Sequence, residues 1–283
     1  MAITAQQVNE LRQKTGAGMM DCKKALTEAD GDFDKAIEIL RKKGAAVAAK
    51  RADRDTNEGI VLSKLSDDMR KASIVEVNCE TDFVAKSDDF IDFANLILDK
   101  AYSGVVSNTE ATLSNDDIKL KLDELVGKIG EKIVINRISN VEAPNGMIIN
   151  YTHTGSKLGV LVLFDNLDSD KFPDFNLLAK DVAMQVAAMK PVSTYRDEVE
   201  KGVIEKEIEI YKEIAKREGK PEQILDKIAQ GKLNKYYQEN CLSEQAYIKD
   251  PSKSVSDLVK EFNAKYAAEV KIRTFLRYQL GDK

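Results

Sequence analysis

The first 45 positions carry three short runs of apolar residues at helical spacing, each closed by a turn signal. Thr4-Ala5-Gln6-Gln7 has the form of a capping box, with Thr4 as N-cap and Gln7 reaching back. The helix it starts puts Val8 and Leu11 inward and stops at Gly16. A second helix is expected from about Met20 to Ala29, with Ala25 and Leu26 inward. Asp30-Gly31 marks a turn, and Asp32 caps a third helix bearing Phe33, Ala36, Ile37 and Leu40 as far as Gly44. Three such helices make a bundle of about 45 residues, near the lower limit for independent folding. Ala45–Asp55 is alanine-rich and basic and reads as a helical or extended linker, so the first unit spans residues 1–54.

From Asn57 the pattern alternates as strands do, and it repeats. Gly59-Ile60-Val61-Leu62 resembles Gly146-Met147-Ile148-Ile149, and each is followed by a polar turn, Ser66-Asp67-Asp68 or His153-Thr154-Gly155-Ser156. A second strand follows in each copy, Ile74–Val77 or Val160–Leu163, then a helix around Phe90–Ala101 or Phe175–Ala188. Each copy closes with a helix and a further strand, Lys132–Ile135 or Val270–Arg273. The expected fold class is therefore α+β: a three-helix bundle, then two related subdomains, each a small antiparallel sheet with helices on one face. The subdomains fall at 55–145 and at 146–190 with 238–283.

The second copy is interrupted at 191–237. Ile204, Ile208, Tyr211 and Ala215 draw a stripe on a helix, which Val199, Val203, Ile210 and Ile214 widen. Gly219-Lys220-Pro221 breaks it, and Ile224, Leu225, Ile228 and Leu233 supply a second helix. This predicts an antiparallel helical hairpin, a coiled-coil arm over Arg196–Tyr237. Two roles stay open for it, a solvated arm and a docking or self-association surface.

Composition narrows the function. Of 283 residues, 43% are hydrophobic and 32% charged, and the net charge of -5 counts against a dedicated nucleic-acid binder. The apolar run Leu158–Phe164 is too short to span a bilayer, and Met1–Gln13 has no signal-peptide core, so a cytoplasmic location is expected. Cys22, Cys79 and Cys241 are widely spaced and odd in number, which fits neither a zinc knuckle nor a disulfide framework. His153 is the only histidine, so a histidine-rich metal site is excluded. No phosphate-binding loop, dinucleotide fingerprint or nucleophile elbow occurs, so neither covalent catalysis nor a cofactor is expected. The basic stretch Arg41-Lys42-Lys43 to Arg54 could touch RNA, but no aromatics interleave with it, and cations suit a helix C-terminus.

Two segments resist a purely structural reading. At Thr81-Asp82-Phe83-Val84 a strand meets a helix. Local physics reads a cap there, with Thr81 or Asp82 accepting from free helix N–H groups and Phe83 packing underneath. In Gly16-Ala17-Gly18-Met19-Met20 the adjacent methionines cannot both face one core. One of them is exposed to a partner, or both are partly covered by the linker.

These segments carry a resemblance. Arg12–Leu26 and Glu76–Lys86 resemble the two signature segments of the bacterial elongation factor Ts family. Lys128-Ile129-Gly130-Glu131, Tyr151-Thr152-His153 and Gly159-Val160-Leu161-Val162 are also similar to family segments, and the likeness runs through the whole chain in order. The resemblance implies a ubiquitin-associated type of N-terminal bundle and a guanine-nucleotide exchange factor for elongation factor Tu that binds the GTPase rather than the nucleotide. It implies that Thr81, Asp82, Phe83 and Val84 form a wedge: Phe83 enters between partner helices, Asp82 perturbs polar contacts, and the partner's Mg²⁺ site distorts. Arg12, Met19, Met20, Ile129, Gly130 and His153 would be further partner contacts. A higher assembly with the GTPase, or a homodimer, also stays open. Members of the family often continue into a further C-terminal helix. This sequence stops at Lys283, so partner affinity is expected to rest on the core and the bundle. Two other classes remain: a scaffold or chaperone-like relative without exchange activity, and an RNA-associated translation protein.

Overall fold

The computed structural model describes residues 3–282; Met1, Ala2 and Lys283, at the ends of the first and last expected units, lie outside the described residues. Helix α1 (Ala5–Thr15) opens on the expected capping box, with Thr4 and Gln7 bonded reciprocally, and ends at Gly16 in the left-handed conformation. Helix α2 (Met19–Glu28) follows α1 after three residues, and Asp32 caps α3 (Phe33–Lys50) by accepting from the Asp34 and Lys35 N–H groups. Leu11, Cys22, Ala25, Leu26 and Ala36 form the bundle's own buried core.

The structure corrects the third helix. Gly44 does not stop it; α3 runs on to Lys50 through the segment expected to be a linker. The distal half of α3 lies against the core, with Val47 and Ala48 packed on the first subdomain's apolar cluster. The bundle is therefore docked rather than tethered.

The first sheet holds β1 (Glu58–Leu65), β2 (Lys71–Cys79) and, after the helices α4 (Asp82–Ala85), α5 (Asp88–Tyr102), α6 (Thr109–Leu113) and α7 (Asp116–Ile129), β3 (Ile133–Glu142). The order is β1-β2-β3, antiparallel throughout. The second holds β4 (Gly146–Thr152) and β5 (Leu158–Asp165). After α8 (Phe172–Met189), α9 (Lys201–Arg217), α10 (Leu225–Asn240), the short pair β6 (Ala246–Tyr247) and β7 (Asp250–Ser254), and α11 (Val255–Tyr266), it closes with β8 (Lys271–Gln279). Its order, β4-β5-β8, repeats the first. The step that takes Gly59 to Gly146 also takes Asn78 to Asp165, and the bulge at Glu76/Val77 to the bulge at Leu163/Phe164. A bulge retained at the same place in both sheets marks a duplication in the backbone as well as in composition.

Each sheet covers one face with helices. Phe90, Phe93 and Ile97 of α5 fill the first core, while Phe175 of α8 and Phe262 of α11 meet edge to face in the second. The other two faces pack on each other through Val61, Ile74, Ile148, Leu161 and Leu163. A buried polar stitch crosses this seam. Arg137 donates to the fully buried Glu76 at 2.6 Å and to the Gln279 carbonyl at 3.0 Å, with its guanidinium over the Tyr278 ring. The Glu76 charge is thus matched by a cation and a second donor, Asn136, as burial requires.

The hairpin forms as the stripe predicts. Ala215 is buried against the face of Leu225, Ala229 and Leu233, and Gly219 turns the chain. Val203, Ile210 and Ile214 lie outside that seam and are exposed, and Val199 precedes the helix, so the widened stripe is corrected to a narrow one. None of the hairpin's buried residues joins the clusters of the two sheets. At its base, Arg196 pairs with Glu244 and Ser193 bridges to Cys241. Replacing residues 201–235 by a short loop removes both halves of one seam together. The remainder should keep its fold, losing contacts only at the base, such as the hydrogen bond from Arg196 to Asn234. Thermal melts followed by circular dichroism check this, and global unfolding would show that the arm packs back onto the body. No helix among the described residues is long and apolar enough to cross a membrane.

Candidate partner interface

The corner after β2 is built from a strand end and a very short helix. Thr81 is extended and caps α4, its Oγ accepting from the Val84 N–H at 3.4 Å. At about 100° per residue, four helical positions cannot all face the core. Val84 and Ala85 take the inner side and pack on the first apolar cluster, which leaves Asp82 and Phe83 outward. Phe83 is 83% exposed, which corrects the local expectation that it packs underneath the cap; Val84 does that. Asp82 pairs with Lys86 at 2.7 Å, and the hydrogen bond from Lys86 holds its carboxyl below the usual carboxylate range.

Behind the corner stands the loop between α7 and β3. Gly130 ends α7 in the left-handed conformation, where its φ of 78° favours glycine, and Ile129 tucks partly into the first cluster. The Glu131 carboxylate then accepts from the Thr81 N–H at 3.0 Å and from the Thr81 hydroxyl at 2.7 Å. The neighbouring pair is reciprocal: the Glu80 carboxylate accepts from the Lys132 N–H at 2.7 Å. Glu80 also takes Arg51 at 2.8 Å, and Lys132 Nζ reaches the carbonyls of Ala52 and Arg54 at 2.6 and 2.9 Å. Residues 51–54, 80–81 and 131–132 are thereby clasped together.

The second subdomain contributes the turn after β4. His153 is exposed, with Nδ1 2.8 Å from the Tyr151 hydroxyl. Gly155, Ser156 and Lys157 share a cleft with Asp82, Ala85 and Lys86, and Lys157 pairs with Glu58 at 2.5 Å. The structure so brings together Thr81 to Val84, Gly130 and the His153 turn. Arg12, Met19 and Met20 sit on the bundle, exposed, with the methionines at 55% and 64%. Both methionines are open, not one. They are not joined directly to the corner. The tie runs through Lys128, whose stem lies against Gly16 and whose ammonium pairs with Asp89 at 2.7 Å. Glu131 and Lys132 are the residues to which sequence reasoning gave no role. Their only signal was membership of the quoted segments, because their partners lie about 50 positions away in the chain.

The titratable groups around the corner are held by their neighbours. Burial pushes the Cys79 thiol up to about 12, and its Sγ donates to the Thr81 carbonyl at 3.2 Å, so it is a structural thiol at neutral pH. The Lys132 N–H, and after it Arg51, hold the Glu80 carboxyl below the usual range. A carboxyl lowered on folding stabilises fully above its unfolded value of about 4.3 and loses that contribution as pH falls through the lower folded value. Glu80→Gln should therefore be less stable than the wild type at neutral pH. The difference should close as the pH falls below that value, which denaturant titrations at a series of pH values would measure.

The chain is similar to known proteins along nearly its whole length. The family model described as elongation factor TS matches residues 80–282. The chain is 48% identical to the elongation factor Ts of Chloroherpeton thalassium and 47% identical to that of Chlorobaculum tepidum, in each case over 99% of both chains. It is 44% identical to the elongation factor Ts of Clostridium botulinum over 99% of this chain and 93% of that one.

Proposed function

This chain belongs to the elongation factor Ts family, and we propose that it is the guanine-nucleotide exchange factor for elongation factor Tu in translation. It binds the GDP-bound GTPase in the cytoplasm and promotes GDP release without covalent chemistry or a cofactor of its own. The observation that carries this reading is Phe83, a large aromatic ring left outside on a clamped corner. A monomeric fold gains nothing from exposing it, whereas a ring buried only on association supplies binding energy. Thr81 to Val84 act as the wedge that disturbs the partner's Mg²⁺ and phosphate site. Ile129, Gly130 and His153 extend the contact on either side, and Arg12, Met19 and Met20 dock the bundle, of ubiquitin-associated type, on the partner.

The energetics are linkage. A factor that weakens GDP binding is itself weakened by GDP to the same degree, so it accelerates release and leaves the overall nucleotide equilibrium unchanged. The test is the release of labelled GDP from elongation factor Tu with and without this protein. Acceleration that depends on the protein's concentration is expected, and an unchanged release rate would overturn the reading.

A further inference from the structure

We propose that Glu131 is a positioning residue for exchange, aiming the Asp82-Phe83 corner from behind without being needed as a contact itself. The proposal rests on the exchange reading above. A four-residue helix has no stability of its own, since nucleation costs more than so few hydrogen bonds return. Its inner side offers only Val84 and Ala85 to the core. The direction in which Phe83 points must therefore be fixed from outside α4.

Glu131 does this at the helix cap. Its two carboxylate oxygens take both donors of Thr81, the N–H at 3.0 Å and the hydroxyl at 2.7 Å. A hydroxyl has one proton and two lone pairs. With its proton committed to Glu131, Oγ is left as an acceptor facing the Val84 N–H. Glu131 thus sets the rotor of the capping hydroxyl and, through it, the first turn of the helix that carries Phe83. The return bond from the Lys132 N–H to Glu80 fixes the other side, so the corner and the loop after Gly130 cannot shift separately. A ring held ready in its bound direction spends less of its contact energy on ordering, and that gain appears in the step it drives.

The experiment uses the full chain and stimulated GDP release measured over a range of its concentrations. Glu131→Ala should lower the maximal stimulated rate about tenfold, as expected when a charged acceptor of two hydrogen bonds is removed. The half-saturating concentration should stay near that of the wild type, because the docking surfaces are untouched. Hydrogen exchange of the free protein adds a readout that needs no partner: the Thr81 amide should lose protection in Glu131→Ala while the amides of β2 keep theirs. If Glu131→Ala folds poorly, Thr81→Val removes the hydroxyl bridge with Glu131 in place, and Thr81→Ser should recover most of what it loses. An active wild type with Glu131→Ala, or with folded Thr81→Val, at the same maximal rate overturns the proposal alone. A wild type that leaves GDP release unchanged overturns the exchange reading and the proposal with it.

Discussion

Phe83→Ala should reduce stimulated GDP release from elongation factor Tu by about tenfold to a hundredfold, while the isolated protein melts as before. The size follows from area. Burying a phenylalanine ring on association is worth about 1.5–3 kcal/mol, and each 1.4 kcal/mol is a factor of ten. The insensitivity of the fold follows from exposure: at 83% exposed, the ring has little contact to lose. Alanine is also the better helix former, by a few tenths of a kcal/mol. Val84→Ala provides the contrast one position along. Val84 packs on the first apolar cluster, so its truncation should lower the melting temperature. Release kinetics and thermal melts on the two variants give opposite signatures if the outward and inward sides of α4 are as described. Unfolding of Phe83→Ala, with exchange per folded molecule unaffected, would make Phe83 a core residue and end the wedge reading.

What the sequence disclosed, and what it withheld, divides by the range of the interactions. Thr4 with Gln7, and Asp32 with the N–H groups that follow it, act over three positions, so residue order alone revealed them. Strand alternation and the repeated Gly59 and Gly146 segments were legible for the same reason, and the duplication is visible in the register. The outward direction of Phe83 was not. Burial preference alone sends an aromatic inward, and only the packing of Val84 and Ala85 beneath it decides otherwise. The resemblance to one family supplied a role for Phe83 that local physics did not. Glu131 went unread because a glutamate after a glycine carries no local signal; its meaning appears only when Thr81 arrives at the end of the neighbouring strand β2. The outer residues Val203, Ile210 and Ile214 were read into the hairpin seam because their spacing is helical, yet spacing cannot say which of two adjacent stripes a partner helix will cover.

Gly44 shows the same limit most sharply, and it yields the second large effect. A glycine at the end of an apolar run reads as a stop, but here its missing Cβ is used at a distance. An added Cβ would come well within van der Waals contact distance of the Asp123 carbonyl oxygen on α7, with the Gly127 Cα 3.5 Å away. The obstacle is backbone, which cannot swing aside as a side chain could. Two opposed terms decide the outcome of Gly44→Ala. Helix propensity favours alanine by about 1 kcal/mol. Overpacking a close crossing costs about 1–3 kcal/mol. The second should win, so Gly44→Ala should be modestly destabilised. Gly44→Val, with more bulk and little of the propensity gain, should part α3 from α7. Parting them would release Val47 and Ala48 from the core cluster and strain the Arg51 to Glu80 pair. Trypsin should then cut faster at Arg51 and Arg54, and the melting temperature should fall. Exchange assays should show a raised half-saturating concentration more than a lowered maximal rate, because the bundle carrying Met19 and Met20 is displaced while the Phe83 corner is not. A Gly44→Ala protein that melts higher, with cleavage unchanged, would mean that the crossing opens freely and that Gly44 is only a weak helix residue. The close crossing of α3 and α7 would then contribute nothing to where the methionines stand.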